Sequence, residues 1–374
     1  MTKKIRLILI VFALWSTSAN ARVVDVQMDA VGVPFLLDDH GHVWAFKEPL
    51  SLKNPFRVPN LNNIKKLAPY IALNADGQIF TWSLKNSSHV TGPDVEINAD
   101  YTIPTQVEDL SGITDVIYTG GEATDGRFVV VKGGNQILSW TIHAAKAPPA
   151  IGVDGYGPKQ VLYTGKKIKS IDATSAGIIV LFEDDTVLGL GLSETGQPRK
   201  DAQEKQVFFG APQPVTAVYL TTFHTIILSA DGRARFWGGC DIDGFGQSVG
   251  SKSVPAAKIG GVAGVESVID NVKEVFPAIN DNHTPDLFLK KDGSLWADFA
   301  PRPDKIENSF CRPDKKISES PIKISNITGP IRTIAGKYGS VGVNNLIALT
   351  TDGYIWVSQY ASNGFIKSSI NIKE

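Results

Sequence analysis

Six histidines, two cysteines and several adjacent acid pairs are the residues of this 374-residue chain that could do chemistry. His40-Gly41-His42 sets two imidazoles one residue apart, close enough to share a metal ion. No further His or Cys follows at ligand spacing, and the three residues interrupt two apolar runs, so solvated turn histidines are the expectation. His89, His143 and His283 have no such neighbour. Asp241-Ile242-Asp243-Gly244 opens like a calcium loop, but the third acid is missing and the twelfth position is Lys252, which predicts a polar connection. Asp38-Asp39 and Asp184-Asp185 could serve as acid–base pairs. Both fall where the chain turns, and Asp is favoured in turns for backbone reasons. Gly165-Lys166 and Gly336-Lys337 lack the Ser or Thr of a phosphate loop, and neither Gly-x-Ser-x-Gly nor His-Glu-x-x-His occurs. Asn86-Ser87-Ser88, Asn282-His283-Thr284 and Asn326-Ile327-Thr328 are glycosylation sequons, meaningful in a eukaryotic source. The expectation is no catalytic residue, no cofactor-binding residue and no metal ligand.

The compartment is more legible. Lys3, Lys4 and Arg6 precede the apolar run Leu7–Trp15, and Ala19-Asn20-Ala21 closes it with the pattern of a signal peptidase site. The expected mature chain starts at Arg22 after cleavage behind Ala21. No Cys follows the run and no twin Arg precedes it, which points to the general secretory route and a periplasmic or extracellular destination. Lys+Arg 37 against Asp+Glu 38 becomes 34 against 38 once residues 1–21 are removed, a balance of −4. A faintly acidic body argues against nucleic acid as a partner. With 43% hydrophobic and 20% charged residues the chain is globular, and its 35 Gly and 21 Pro favour turns over long helices.

Seven segments share one layout, a short apolar run, a turn and a second short run: Pro34–Phe46, Tyr70–Leu84, Phe128–Ile142, Gly177–Leu190, Thr225–Trp237, Asp286–Phe299 and Leu346–Val357. Four of the turns read Asp-Gly (Asp76-Gly77, Asp231-Gly232, Asp292-Gly293, Asp352-Gly353), the hairpin signal. All six Trp beyond residue 21 (Trp44, Trp82, Trp140, Trp237, Trp296, Trp356) follow such a turn, with Leu190 in the place of the seventh. That regularity predicts inward-facing side chains filling one slot per repeat rather than a sugar-stacking platform. First runs such as Ile178–Phe182 do not alternate, so both faces are expected to be buried. Antiparallel sheets buried on both faces must stack on one another, and stacking that closes is a β-propeller. Two weaker runs precede each hairpin, for example Pro104–Val107 and Ile113–Tyr118, and are expected to be the other two strands of the blade.

The unit resembles the repeat of the regulator of chromosome condensation family: Pro-x-x-Val, Val-x-x-Val-small-small-Gly, His-x-x-x-Leu, then Trp-Gly-x-Asn-x-x-Gly-Gln. Leu190–Gln197 follows the tail with Leu for Trp, Phe223–Leu228 carries the His at His224, Trp237-Gly238 leads through an insertion to Gly246-Gln247, and Ile334-Ala335-Gly336 matches the small-small-Gly step. The resemblance covers residues 22–374, and most units lack the His and the Gly-Gln. It implies an all-β fold, a single seven-bladed β-propeller of four-stranded antiparallel blades closed by the N- and C-terminal strands. His224 would make a structural hydrogen bond. The family's name-giving member is a guanine-nucleotide exchange factor that binds chromatin, and secreted bacterial members bind and inhibit β-lactamases.

The functional expectation is an exported, non-enzymatic propeller, monomeric, that binds a protein through its connections, Ala297–Ser320 and Ser87–Tyr101 above all. The alternatives are an enzyme with a site at the central opening and an exchange-factor-like effector. Two Cys in an oxidising compartment predict one disulfide, Cys240 to Cys311, both beyond the Trp of adjacent units.

Overall fold

The computed structural model describes residues 21–28, 34–46, 54–82, 84–85, 100–101, 103–108, 110–119, 125–143, 160–174, 177–191, 206–209, 214–221, 224–238, 265–266, 269–277, 286–298, 322–324, 327–336, 346–359 and 364–368. They form seven four-stranded antiparallel sheets, and no helix occurs among them. Blade 1 is Val23–Met28, Pro34–Asp38, Val43–Ala45 and Phe56–Arg57. Blade 2 is Ile64–Ala68, Ile71–Asn74, Ile79–Thr81 and Thr105–Gln106. Blade 3 is Ile113–Thr119, Asp125–Lys132, Gln136–His143 and Gln160–Thr164, and blade 4 is Ile168–Ala173, Ile178–Phe182, Val187–Leu190 and Gln206–Phe209. Blade 5 is Val215–Leu220, His224–Ser229, Ala234–Gly238 and Val265–Glu266. Blade 6 is Val272–Phe276, Asp286–Lys290, Leu295–Asp298 and Ile322–Ile324, and blade 7 is Ile331–Gly336, Leu346–Thr350, Ile355–Gln359 and Gly364–Lys367. A separate two-stranded pair, Leu84–Lys85 with Asp100–Tyr101, lies in the chain between the third and outer strands of blade 2. The first strands of blades 7, 1, 2, 3, 4 and 5 lie against one another in turn, so the first strand is the inner one.

The sequence repeat is out of phase with the blade by one strand. Thr105–Gln106 pairs with Ile79–Thr81 and so closes blade 2, whereas Ile113–Thr119 opens blade 3. The first weak run before each hairpin therefore belongs to the preceding blade. For the first unit that strand is missing upstream, and Gly364–Lys367 supplies it at the far end of the chain by pairing with Ile355–Gln359 as the outer strand of blade 7.

What joins the blades is apolar burial. Seven hydrophobic clusters fill the seven gaps between adjacent sheets. The non-alternating second strands serve two gaps at once: Ile178 and Val180 face blade 3, while Ile179 and Leu181 face blade 5. Closure needs no shared sheet, because Val26, Leu36 and Trp44 of blade 1 pack on Ile347, Leu349 and Ile355 of blade 7. At about 1.5–3 kcal/mol per fully buried large apolar side chain, each gap outweighs the few hydrogen bonds beside it, worth about 0.5–1.5 kcal/mol apiece.

Every inner strand carries the same irregularity. Its register slips after the first residue: Val23/Asp25, Ile64/Lys66, Ile113/Asp115, Ile168/Ser170, Val215/Ala217, Val272/Glu274 and Ile331/Thr333. Each strand also has apolar residues at positions one and four, as in Val23 and Val26 or Ile64 and Leu67. In a regular strand residues three apart face opposite ways. One extra residue puts them back on the same face, where both are buried at most of these pairs.

The Asp-Gly pairs do not form the whole loop of their hairpins. In all seven blades the loop is three residues long, closed by pairs such as Asn74 with Gln78, Lys132 with Gln136 and Ser229 with Arg233. In five of them, blades 2, 4, 5, 6 and 7, an Asp is followed by a residue at positive φ, such as Gly77 at 76° and Gly232 at 81°, a type I turn followed by a bulge. These glycines also sit against the next blade. A Cβ on Gly77 would meet Ile113 backbone at 3.1 Å, and one on Gly232 would meet Asn271 Cα at 3.0 Å. Their carbonyls accept the N–H groups of Ile113 and Val272 at 3.0 and 2.8 Å, so each turn is hydrogen-bonded to the blade that follows.

Candidate functional site

The inner strand is a sheet edge, so one row of its backbone N–H groups faces the axis with no strand to accept from it. Side chains from positions three and five of the inner strands do part of that work. Asp25 Oδ1 accepts the N–H of Val26 at 2.8 Å, and Asp115 Oδ1 that of Val116 at 2.7 Å. Asp172 uses both oxygens, on Ala173 in its own blade and on Leu220 in blade 5, each at 2.8 Å. Tyr219 Oη accepts the N–H of Val275 in blade 6 at 3.2 Å. The Lys66 ammonium of blade 2 binds the Asp115 carboxylate of blade 3. Together these contacts tie blade 2 to 3, 4 to 5 and 5 to 6 at the axis.

The groups also sense one another. Burial pushes the Asp172 carboxyl up to about 6, held back by the Leu220 and Ala173 amides and by Lys66. Burial pushes Asp25 up to about 6 as well, opposed by the Val26 amide, Gln27, Lys66 and Arg332. Glu274 is raised by burial with Lys273 opposing, and the Tyr219 phenol is raised by burial. Two half-buried acids that titrate near neutrality are the raw material of acid–base chemistry, although the oxygens named here already accept backbone N–H groups.

The slipped residues form a second feature: Val24, Lys65, Thr114, Lys169, Thr216, Lys273 and Arg332, exposed except for half-buried Val24. They lie at the level of the hairpin turns, because the first residue of each inner strand pairs with the last residue before the turn, as Ile64 does with Asn74 and Val272 with Lys290. Lys169 spans to Asp185 Oδ1 at 2.9 Å and to the Val215 carbonyl of the next blade at 3.1 Å.

The residues singled out in the sequence fall elsewhere. Asp38, His40 and His42 bring three ligand-type atoms within 4.8 Å of one another. Asp38 organises that turn: Oδ1 accepts the N–H groups of His40 and His42 at 2.9 and 2.8 Å, and Oδ2 accepts Trp44 Nε1 at 2.8 Å and lies 3.4 Å from His42 Nδ1. Asn74 makes the same two backbone contacts in blade 2, to Asp76 and Gln78, so this geometry belongs to the hairpin. Asp184 accepts Lys166 Nζ at 2.7 Å and the Thr186 hydroxyl, which hold its carboxyl down to about 2, and Asp185 takes the positive-φ position. Those two carboxylates are parts of a turn, not an acid–base pair.

Trp44, Trp82 and Trp356 are buried and Trp296 is half-buried, each packed toward the preceding blade. Counted from the residue closing the hairpin, Trp44, Trp296 and Trp356 come two later and Trp82 four later, so there are two slots on one face where a single slot is expected from the sequence. His224 and His143 lie on strands of blades 5 and 3. His89, His283, Asp241–Gly244, Cys240, Cys311 and residues 1–20 lie outside the described residues. None of the axial residues is evident from a motif. Their signal is positional, two and four places beyond the first apolar residue of each inner strand.

No protein-family model matches the chain, and no curated protein sequence matches it. Among solved structures it is similar to BBS1N in complex with ARL6DN, at TM-score 0.52 and 11% identity over 95% of each chain. It is similar to PorZ of Porphyromonas gingivalis, a surface component of the type-IX secretion system, at TM-score 0.50 and 10% identity, over 95% of this chain and 39% of that one. Prp20p of Saccharomyces cerevisiae, described with its binding to Gsp1p and histones, gives TM-score 0.47 and 16% identity over 81% of this chain and 74% of that one. The fold is a seven-bladed β-propeller. The regulator of chromosome condensation protein of yeast is among its structural neighbours.

Proposed function

We propose that the chain from Arg22 onward is an exported, monomeric, non-enzymatic propeller that binds a protein partner through the connections between the third and outer strands. The observation that carries this reading is the asymmetry of the ring. Third strands all finish at the end opposite the hairpin turns, and the chain between them and the outer strands runs to 26 residues in blade 5 and 23 in blade 6. Variable connections on a rigid, repeated frame are where binding is built. The propeller neighbours BBS1N and Prp20p, described with ARL6DN and Gsp1p, are precedents for protein binding by this fold.

Export rests on residues 1–21. Cleavage behind Ala21 would convert the Arg22 nitrogen, 2.9 Å from Asp39 Oδ1, into an ammonium facing a carboxylate. Mass spectrometry of the mature protein should find Arg22 at its amino terminus, and a retained Met1 would overturn export. In the same compartment Cys240 and Cys311 are proposed to be joined. The strands that precede them, Ala234–Gly238 and Leu295–Asp298, finish at the same end of adjacent blades. A thiol titration of unfolded, unreduced protein should find none free, and two free thiols would refute the bond.

The partner reading is tested by affinity capture on the mature chain, followed by reconstitution with the purified partner. Saturable one-to-one binding supports it, and absence of any reconstituted complex counts against it. A second reading, catalysis at the axis, is favoured by the raised Asp25 and Asp172. It requires an activity that Asp25→Asn and Asp172→Asn abolish; a binder keeps its partner in both variants.

A further inference from the structure

We propose that the mouth of the ring at the hairpin-turn end is a binding site for a compact, multiply charged anion, held by Lys65, Lys273 and Arg332. This site is separate from the connections that would hold a protein partner, since it lies at the opposite end of the ring.

The slip in each inner strand makes the site. It leaves one residue per blade outside the regular alternation, and these residues repeat around the axis at one level. Of the seven, four are basic, whereas Lys and Arg make up 37 of the 374 residues of the chain. An inner strand is covered on both faces by neighbouring blades, so an exposed side chain on it can reach water only along the axis or at the mouth. Lys169 is committed to Asp185 and the Val215 carbonyl. Lys65, Lys273 and Arg332 are exposed and make no hydrogen bond or ion pair with any described residue. They stand on blades 2, 6 and 7, on either side of blade 1, where the equivalent residue is the uncharged Val24.

The surroundings set the size of the ligand. One residue deeper lie Asp25 and Glu274, which sense Arg332 and Lys273 respectively. Farther from the axis the turns expose Asp39, Asp76, Asp231, Asp292 and Asp352. The cations thus form an arc enclosed by acids below and around it. A long polyanion would have to cross the outer acids, while an anion small enough to stay within the mouth meets the cations before the acids beneath them. Carboxylate and phosphate groups share the required chemistry, and Arg332 suits either through a planar two-pronged contact.

Isothermal titration of the mature protein with citrate and, separately, with tripolyphosphate at low ionic strength tests this. We expect sub-millimolar binding of at least one, weakened about tenfold or more by the Lys65→Glu/Arg332→Glu double variant. Lys323→Glu, on the outer strand of blade 6, makes a charge change of the same sign away from the mouth and should leave binding within about twofold. Should charge reversal prevent folding, judged by melting, Lys65→Gln/Arg332→Gln replaces it with the same expected direction. Binding of citrate alone identifies carboxylates as the ligand groups, and of tripolyphosphate alone phosphates. No binding of either, equal affinity in the double variant, or tighter binding of a short DNA duplex than of tripolyphosphate would overturn the proposal.

Discussion

The two ends of the ring use the same seven sheets and differ in the length of chain that joins the strands. At one end the second and third strands are connected by three or four residues in every blade. At the other the third and outer strands are connected by anything from 4 residues in blade 7 to 26 in blade 5. The short end is also the bonded end. The residue after each second strand donates to the carbonyl just ahead of the inner strand in all seven blades, from Asp39 to Arg22 through Thr351 to Pro330. Turn carbonyls at Gly41, Gly77, Gly134 and Gly232 reach the next blade. These bonds fix blade spacing at the turn end, which leaves the connections at the other end free to vary in length.

The largest effect that would sharpen this contrast comes from removing residues 364–374. That deletes the outer strand of blade 7 and with it Phe365, buried in the gap between blades 6 and 7. Loss of one such Phe costs about 3–5 kcal/mol, so the melting temperature should fall markedly; an unchanged melt would refute this role of the C-terminal strand.

A finer comparison sits at the turns themselves. Gly232→Ala and Gly293→Ala both place a side chain at positive φ, 81° and 82°. Only Gly232 also faces the next blade, with a Cβ 3.0 Å from Asn271 Cα, whereas nothing lies within 4 Å of Gly293. Gly293→Ala should cost about 1–2 kcal/mol from backbone strain, and Gly232→Ala about 1–3 kcal/mol more. Equal losses in chemical denaturation would show that the turns do not space the blades.

The last effect, spread over several pH units, concerns the axis. Asp25 and Asp172 have folded pKa values raised to about 6 from an ordinary value near 3.8, so the folded state holds more protons than the unfolded. Their contribution is most favourable below pH 4 and is lost as pH rises through 6, by up to about 3 kcal/mol each. Denaturation between pH 4 and 7 should show that decline, and Asp172→Asn should flatten it. A slope unchanged by the substitution would mean that Asp172 is not the group titrating.

Much of this was legible in the sequence for a physical reason. Asp-Gly turns and runs such as Ile178–Phe182 are dictated locally, by backbone conformation and by burial on two faces. The phase of the repeat was not legible, because Thr105 and Gln106 join blade 2 through pairing across a long connection, which no local pattern encodes. Nor were the axial residues. Asp25, Lys66 and Tyr219 come from three different blades, and only the closed ring brings their positions to a common axis.

The division of labour between the ends is tested most directly by placing a photo-crosslinking amino acid at one site per variant in the mature chain. Asp94 and Glu307 lie in long connections of blades 2 and 6, and Asp76 and Asp292 lie in the hairpin turns of the same blades. With the purified partner, adducts should form from positions 94 and 307 and not from 76 and 292. Adducts from the turn positions alone would contradict the account.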